Sequence, residues 1–201
     1  MTEKTIISTR SKKGGRNLKA TGVVRRIDDL GRIVIPKEIR KTLRIREGDP
    51  LEIFTDKEGE IILKKYSPIG ELSEFASEYV EALAKTTGHI ACISDKDTII
   101  AVSGAPKKEY LEKSVSTELE KLMEDKMVWS SKSTDEKHMP VLLTDAGDEK
   151  YTSQVIYPIV AEGDTIGTVM LLSTEPNTKM NEVELKVVQS AAGFLGKQME
   201  E

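Results

Sequence analysis

Arginine and lysine are concentrated in the first third of the 201-residue chain, and their side chains could bind a polyanion. Arginine presents a planar fork of donors that fits phosphate oxygens or the edge of guanine, whereas lysine offers only a point charge. Residues 1–66 hold 17 Lys and Arg against 10 Asp and Glu, a net charge of +7. Residues 67–201 hold 13 against 24, a net charge of −11. This asymmetry predicts that only the first part of the chain meets a polyanion.

A short cationic helix is predicted to begin at Pro36, in the string PKEIRKTL. At 100° per residue, four cations fall within about 100° of arc: Lys37, Arg40, Lys41 and Arg44. The apolar Ile39 and Leu43 lie on another side, which we expect to pack. Arg25, Arg26 and Arg32 on the neighbouring segments extend the basic surface.

Groups that could serve catalysis or hold a metal are sparse. The sequence has two histidines, His89 and His138, and one cysteine, Cys92. That set makes a zinc site or an internal disulfide improbable. Carboxylates are abundant, but no spacing selects an acid–base pair, and neither a P-loop nor a dinucleotide fingerprint is present. We therefore expect a protein that is not an enzyme and that has no cofactor.

The elements that must position the cations are short. Two strands are predicted, over Thr21–Ile27 and Arg32–Ile35, with a turn at residues 28–31 between them. After the short helix, LEIFT and EIILKK form a hairpin around the turn DKEG. A unit of about 47 residues without disulfide or metal buries too little surface to be securely stable alone. We therefore predict a dimer in which strands of two chains complete one sheet or barrel.

A different architecture is predicted after the break at residues 67–70. Helices are expected over 71–86, 108–127 and from Asn181, with strands HIACISD and TIIAVSG and the hairpin QVIYPIV–TIGTVMLLS. A polar loop over 130–150, with a possible strand at VLLT, separates the hairpin from the preceding helix. The first and last helices have apolar faces of about 200°, wider than an ordinary surface helix. Each is expected to pack on its own sheet and on a partner chain.

Residues 1–17 are predicted to be a disordered extension, either a basic arm on DNA or a segment without a role. Codons for Lys12–Gly15 can contain a ribosome-binding sequence, so the natural protein is expected to start at Leu18. No apolar run of about 20 residues is present, which excludes a membrane span and favours a cytoplasmic location.

The run KATGVVRRIDDLGRIVIPKEIRKTLRIREGDPLEIF, residues 19–54, resembles the DNA-binding domain of AbrB-type transition-state regulators. The similarity extends over residues 19–66 and implies a barrel of hairpins swapped between two chains. The family's DNA-contacting arginines are matched by Arg25, Arg32 and Arg40, with Arg26 and Lys41 adjacent. The residues do not tell which of these cations read bases and which bind phosphates. A short helix flanked by strands favours readout of DNA shape over a recognition helix.

Through LKKYSPI and a second half ending AAGFLGKQME, the chain resembles sporulation regulators in which a GAF domain follows the AbrB-type domain. The resemblance implies an α+β protein: a dimeric swapped-hairpin β-barrel, then an α/β GAF domain with flanking helices. The domains would be residues 18–66 and 71–201, joined by a linker at 67–70.

The resemblance also implies a regulator that binds double-stranded DNA in the forespore and activates some genes while repressing others. It would be a homodimer through 18–66, assembled into a tetramer through the GAF-domain helices. A small-molecule effector is possible, with 130–150 as its cover and Tyr157 beside it. The alternatives are an antitoxin-like protein, or a general DNA-coating protein whose C-terminal domain only dimerises.

Overall fold

The computed structural model describes residues 21–57, 59–131, 137–145 and 150–200. The predicted extension at 1–17 and the start at Leu18 lie outside these residues. The chain divides into two compact units, one ending at Glu47 and the other beginning at Gly48.

The first unit contains a turn at residues 28–32 and one helix, α1, over Lys37–Thr42. The prediction of strands over Thr21–Ile27 and Arg32–Ile35 is wrong for the single chain, in which both segments are irregular. A strand requires ladder hydrogen bonds from a neighbouring strand, and the two segments share only the bonds that close the turn. Their side chains are almost all exposed, including Val24 at 85% and Val34 at 72%.

The second unit opens with the predicted hairpin, formed by β1 (Leu51–Thr55) and β2 (Ile61–Lys65). Its turn is closed by the Asp56 N–H, which donates to the carbonyl of Glu60 at 3.2 Å. The Lys65 ammonium, at the end of β2, contacts the carboxylates of Asp49 at 3.2 Å and Asp97 at 2.5 Å.

A five-stranded antiparallel sheet forms the centre of the second unit's described residues, in the order β4-β3-β7-β6-β5. Its strands are β3 (Ile90–Ser94), β4 (Ile99–Ser103), β5 (Trp129–Ser131), β6 (Ser153–Ala161) and β7 (Asp164–Ser173). Alternate side chains of each strand point to opposite faces, so the sheet has a core on both sides. The strand β5, at the edge beside β6, is absent from the prediction.

Two long helices cover one face of the sheet: α2 (Ser73–Thr87), preceded by a 3₁₀ turn at Ile69–Leu72, and α5 (Glu182–Gln198). The left-handed Gly88 (φ 72°) ends α2, and Asn181 begins α5 with a capping box to Glu184. At Gly196 the backbones of α5 and β6 come so close that an added Cβ would lie 2.2 Å from the Val160 carbonyl oxygen.

The opposite face is covered by two short helices, α3 (Lys107–Tyr110) and α4 (Thr117–Glu124), and by segments at 137–145. The prediction of one helix over 108–127 is wrong, because the chain leaves the helix at Leu111 and bonds to the edge of β4. There the Glu112 N–H donates to the Ile99 carbonyl at 2.9 Å, and the Ile99 N–H donates to that of Lys113 at 3.0 Å. The predicted strand at VLLT is only a bridge from Leu142 to Val115, followed by a 3₁₀ turn.

The α+β fold class and the long helices, hairpins and antiparallel strand pairs of the prediction are confirmed.

The placement of Tyr157 under the 130–150 segment is wrong. Its side chain lies on the α2–α5 face of β6, because it alternates with Ile156, which faces the segments. No helix in the described ranges is long and apolar enough to span a bilayer.

Candidate nucleic-acid interface

The turn at residues 28–32 presents Arg32, and one carboxylate organises it. Oδ1 of Asp28 accepts the backbone N–H groups of Leu30 at 3.0 Å and Arg32 at 2.7 Å. Oδ2 of the same carboxylate accepts Nε–H of Arg32 at 2.7 Å. Gly31 adopts φ 76°, a conformation that glycine enters without steric cost. The guanidinium of Arg32 is thus held by its Nε–H bond to Asp28.

The pKa of the Asp28 carboxyl lies below its ordinary value. The backbone N–H of Arg32 is the largest cause, the side chain of Arg32 the next, and both stabilise the ionised form. The carboxylate is exposed to solvent, so the turn is a preorganised surface feature and not a buried ion pair. Sequence reasoning treats Asp28 only as a turn residue. An aspartate four residues before an arginine, in DDLGR, is the signal that indicates this clamp.

Arg25 and Arg26 precede the turn, and both side chains are exposed. Nη1 of Arg25 donates to the carbonyl of Val24 at 3.0 Å, which holds the guanidinium near the backbone. The predicted cations before the turn are therefore accessible to a ligand in this chain.

The cations of α1 differ from each other in exposure. Lys41 is exposed, whereas Arg40 is half-buried, and its buried Nε has no hydrogen-bond partner in the described part of the chain. Leu43, predicted on the packing side, is 57% exposed, so it does not pack within the single chain. The five predicted residues thus lie in one compact unit, four of them exposed and Arg40 partly covered.

Apolar side chains lie among these cations. Each of the following is more than two-fifths exposed: Val23, Val24, Ile27, Leu30, Ile33 and Val34. Exposed apolar side chains in this number are typical of a protein–protein interface.

Residues that could hold a metal ion do not cluster in residues 21–57, 59–131, 137–145 and 150–200. These ranges contain no group of three or more His, Cys, Asp or Glu that could hold a metal ion. Cys92 is fully buried in the sheet, and burial raises the pKa of its thiol. It packs as a small apolar residue.

Comparison with known proteins adds relatives for both parts of the chain. Residues 71–200 match the family described as "Stage V sporulation protein T C-terminal, transcription factor". The chain is also 56% identical to stage V sporulation protein T of Bacillus subtilis (strain 168), over 92% of its own length and 100% of the relative's. The chain belongs to the stage V sporulation protein T family.

The N-terminal part of this family member has further relatives. The transition state regulatory protein AbrB of the same organism is 61% identical over 51 residues, which cover 25% of this chain and 52% of that protein. Residues 24–71 match the family "Antidote-toxin recognition MazE, bacterial antitoxin". The expected resemblance to AbrB-type regulators is confirmed.

The second half of the chain has the fold of a GAF domain. The GAF domain of PixJ from Thermosynechococcus elongatus superposes with a TM-score of 0.53 at 12% identity, covering 68% of this chain and 89% of that one. At this identity the likeness concerns the fold alone.

Proposed function

We propose that this stage V sporulation protein T family member regulates transcription of sporulation genes by binding double-stranded DNA through its N-terminal unit. The arginine-bearing turn supports this proposal most directly, because Asp28 holds the exposed Arg32 and the exposed Arg25 and Arg26 precede it in the same unit. The relatives named as a sporulation protein and as a transition state regulator add independent support. Activation at some genes and repression at others, in the forespore, is part of the proposal, as is the absence of catalysis.

The DNA-contacting residues proposed are Arg25, Arg26, Arg32, Arg40 and Lys41. Arg25, Arg26 and Arg32 are exposed and suited to phosphates or base edges. Arg40 is proposed to act in the assembled DNA-binding domain, where its unpartnered Nε can find an acceptor.

A homodimer through residues 18–66 is proposed from the apolar side chains that surround these cations. Val24, Leu30 and Val34 are each at least 70% exposed in the single chain. Pairing of the two irregular segments with those of a second chain would satisfy their backbone groups and cover these side chains. Residues 67–70 would then link this domain to the GAF domain at 71–201.

A tetramer through α2 and α5 is proposed from their outer surface. Phe75, Tyr79 and Phe194 form an aromatic cluster there, with ring centroids 5.8–5.9 Å apart. Phe194 is 44% exposed, so the cluster offers aromatic area to a second copy of the helix pair.

We also propose that the GAF domain receives a small-molecule effector.

An antitoxin-like role is the second candidate, because the family matched by residues 24–71 is described by antidote–toxin recognition. Antidotes of this type carry a disordered acidic tail, whereas residues 71–200 here form a sheet with two cores. The folded second half favours the regulator.

The experiment that tests DNA binding replaces Arg25, Arg32 or Arg40 by Ala and measures affinity for operator DNA. Each change is expected to weaken binding by about 1–3 kcal/mol and leave thermal unfolding unchanged. Lys113→Ala, at an exposed position of the second unit, is the matched control and should bind normally. The logarithm of affinity should fall by about 0.9 per phosphate neutralised for each unit of log salt. Wild-type affinity in all three variants, or binding independent of salt, would contradict the proposal.

A further inference from the structure

The space directly between the sheet and the segments over it is filled with side chains. Tyr110, Leu142, Tyr151 and Ile156 are all buried there. The hydroxyl of Tyr151 donates to Oδ2 of Asp145 at 3.0 Å, and the Lys150 ammonium lies 3.6 Å from Oδ1 of that carboxylate. In the described part of the chain, these side chains occupy the space above the centre of the sheet.

Room exists at the edge of the sheet, beside β5. A cavity of about 420 Å³ opens there between α4, Trp129 of β5 and residues 137–140. This volume lies within the range of about 300–1,000 Å³ found for small-molecule sites. Its apolar lining consists of Leu122, Met127, Trp129, Met139 and Pro140.

Hydrogen bonds to the backbone hold both walls of this cavity, which we call the β5 pocket. The buried amide of Gln154 accepts from the Met139 N–H at 2.8 Å and donates to the Met139 carbonyl at 2.6 Å. Ser116 caps α4 by accepting the Leu119 N–H at 3.0 Å, and its hydroxyl donates to the Pro140 carbonyl at 2.6 Å. The backbone of both walls is thus held in place before any ligand binds.

Two ring nitrogens of the lining lack partners. Nε1 of Trp129 and Nε2 of His138 are both buried, and neither has a hydrogen-bond partner among the described residues. The indole N–H can only donate, and Nε2 of a histidine can donate in the appropriate tautomer. Buried polar atoms in folded proteins are almost always hydrogen-bonded. Because both residues are only partly buried, these two donors become available to an acceptor when their rings turn toward the cavity.

The positive and negative charges of the side chains that line the pocket cancel. Lys121 and Lys137 are opposed by Glu118 and Asp125, so the local charge is near zero within a domain of net charge −11. A multiply charged anion such as a nucleotide phosphate would be repelled, whereas a single carboxylate paired with two donors and a lysine would not.

We propose that the β5 pocket binds a small molecule with an apolar body and one carboxylate group, whose oxygens accept from Trp129 and His138. This inference develops the effector part of the proposed function and does not depend on the DNA-binding part.

Trp129 is the only tryptophan of the sequence, so its indole N–H gives one resonance that reports on this site. The full-length protein, labelled with ¹⁵N-tryptophan, is titrated with phenylacetate and with 4-methylpentanoate, which offer a ring and a branched chain. At least one of them should shift the indole resonance saturably at millimolar concentration, whereas phenethylamine should not. No saturable shift from either acid, or an equal shift from the amine, would overturn the proposal.

Variants separate a ligand site from a general surface effect. Trp129→Phe keeps an apolar ring and removes the donor, and His138→Gln removes the imidazole. Each should weaken binding of the active acid, measured by calorimetry, by about tenfold or more. His89→Gln changes the other histidine, outside the pocket, and should bind as the wild type does. Unchanged affinity in both pocket variants would overturn the assignment. Operator affinity measured on the same preparations reports separately on the DNA-binding proposal.

Discussion

At the scale of single residues, Asp28 explains how a surface arginine can be aimed without being buried. A free arginine side chain loses about 2 kcal/mol of rotamer entropy when it is fixed on a ligand. The bond from Nε of Arg32 to Asp28 restricts those rotamers before any ligand binds. The charge of Asp28 partly opposes a polyanion, so the arrangement favours geometry over raw attraction.

This clamp predicts how Asp28 titrates. Its carboxyl pKa, followed by NMR, should lie below the ordinary value because the ionised form accepts bonds from the backbone and side chain of Arg32. Since the folded-state pKa is lowered, the charged form stabilises the turn above the unfolded-state pKa. That stabilisation is lost as the pH falls through the folded-state pKa. In Arg32→Ala the pKa of Asp28 should rise only part of the way to its ordinary value. The larger cause of the shift, the backbone N–H of residue 32, remains in this variant. A pKa unchanged by this substitution would show that the side-chain bond is not formed in solution.

At the scale of elements, two glycines of α5 have opposite roles. An added Cβ at Gly196 would lie 2.2 Å from the Val160 carbonyl oxygen, whereas at Gly193 it would meet nothing within 4 Å. The first glycine lets α5 approach β6 closely; the second only lowers helix propensity.

Alanine at the two positions should therefore shift thermal stability in opposite directions. Gly196→Ala must displace backbone, and we expect it to destabilise by about 1–3 kcal/mol. Gly193→Ala should stabilise by up to about 1 kcal/mol through helix propensity. Melting of the two full-length variants beside the wild type measures the difference. A Gly196→Ala protein as stable as the wild type would mean that α5 does not pack this closely.

Elements with strong local signals could be predicted from the sequence. The α2 and α5 helices have wide apolar faces and clear ends at Gly88 and Asn181, and the β6–β7 hairpin has a turn at Glu162–Gly163. The interruption between α3 and α4 could not be predicted, because hydrogen bonds to the edge of β4 override helix propensity there. Ser116 before TELEKLME is the missed N-cap signal.

For the two candidate sites, too, local sequence signals could be predicted and features that depend on the folded geometry could not. A count of charges finds the N-terminal cations, but the clamp on Arg32 depends on turn geometry. The β5 pocket was out of reach because Trp129 and His138 are nine residues apart, and β5 is a three-residue strand with two serines.

The aromatic cluster on α2 and α5 predicts an assembly defect. Phe194→Glu places a charge on the proposed interface, and because Phe194 is already half-exposed the domain itself should still fold. We expect the full-length protein to sediment as a dimer instead of a tetramer. Leu111→Glu is the control, since Leu111 is 36% exposed on the opposite layer. A tetramer in Phe194→Glu would remove the cluster from the interface.

At the scale of the whole molecule, the charge asymmetry separates two tasks. The segment of net charge +7 is suited to DNA, whereas the rest, at −11, is repelled by it and remains available for assembly and for a ligand. An effector in the GAF domain can change DNA binding only if it binds one assembly state better than another.

Tetramer formation should increase affinity for paired sites through avidity alone. In the proposed tetramer, two DNA-binding heads linked by α2 and α5 would make the second binding event intramolecular, which would raise affinity by about 10²–10⁴ where both heads can engage. Wild type and Phe194→Glu should therefore bind DNA with one site equally, because one head suffices there. On DNA with two sites at suitable spacing, the wild type should bind about 10²-fold tighter or more. Each protein is titrated against both DNAs in the same salt, since phosphate contacts make every affinity salt-dependent. An equal gain on paired sites by both proteins would mean that the GAF-domain helices do not link the heads.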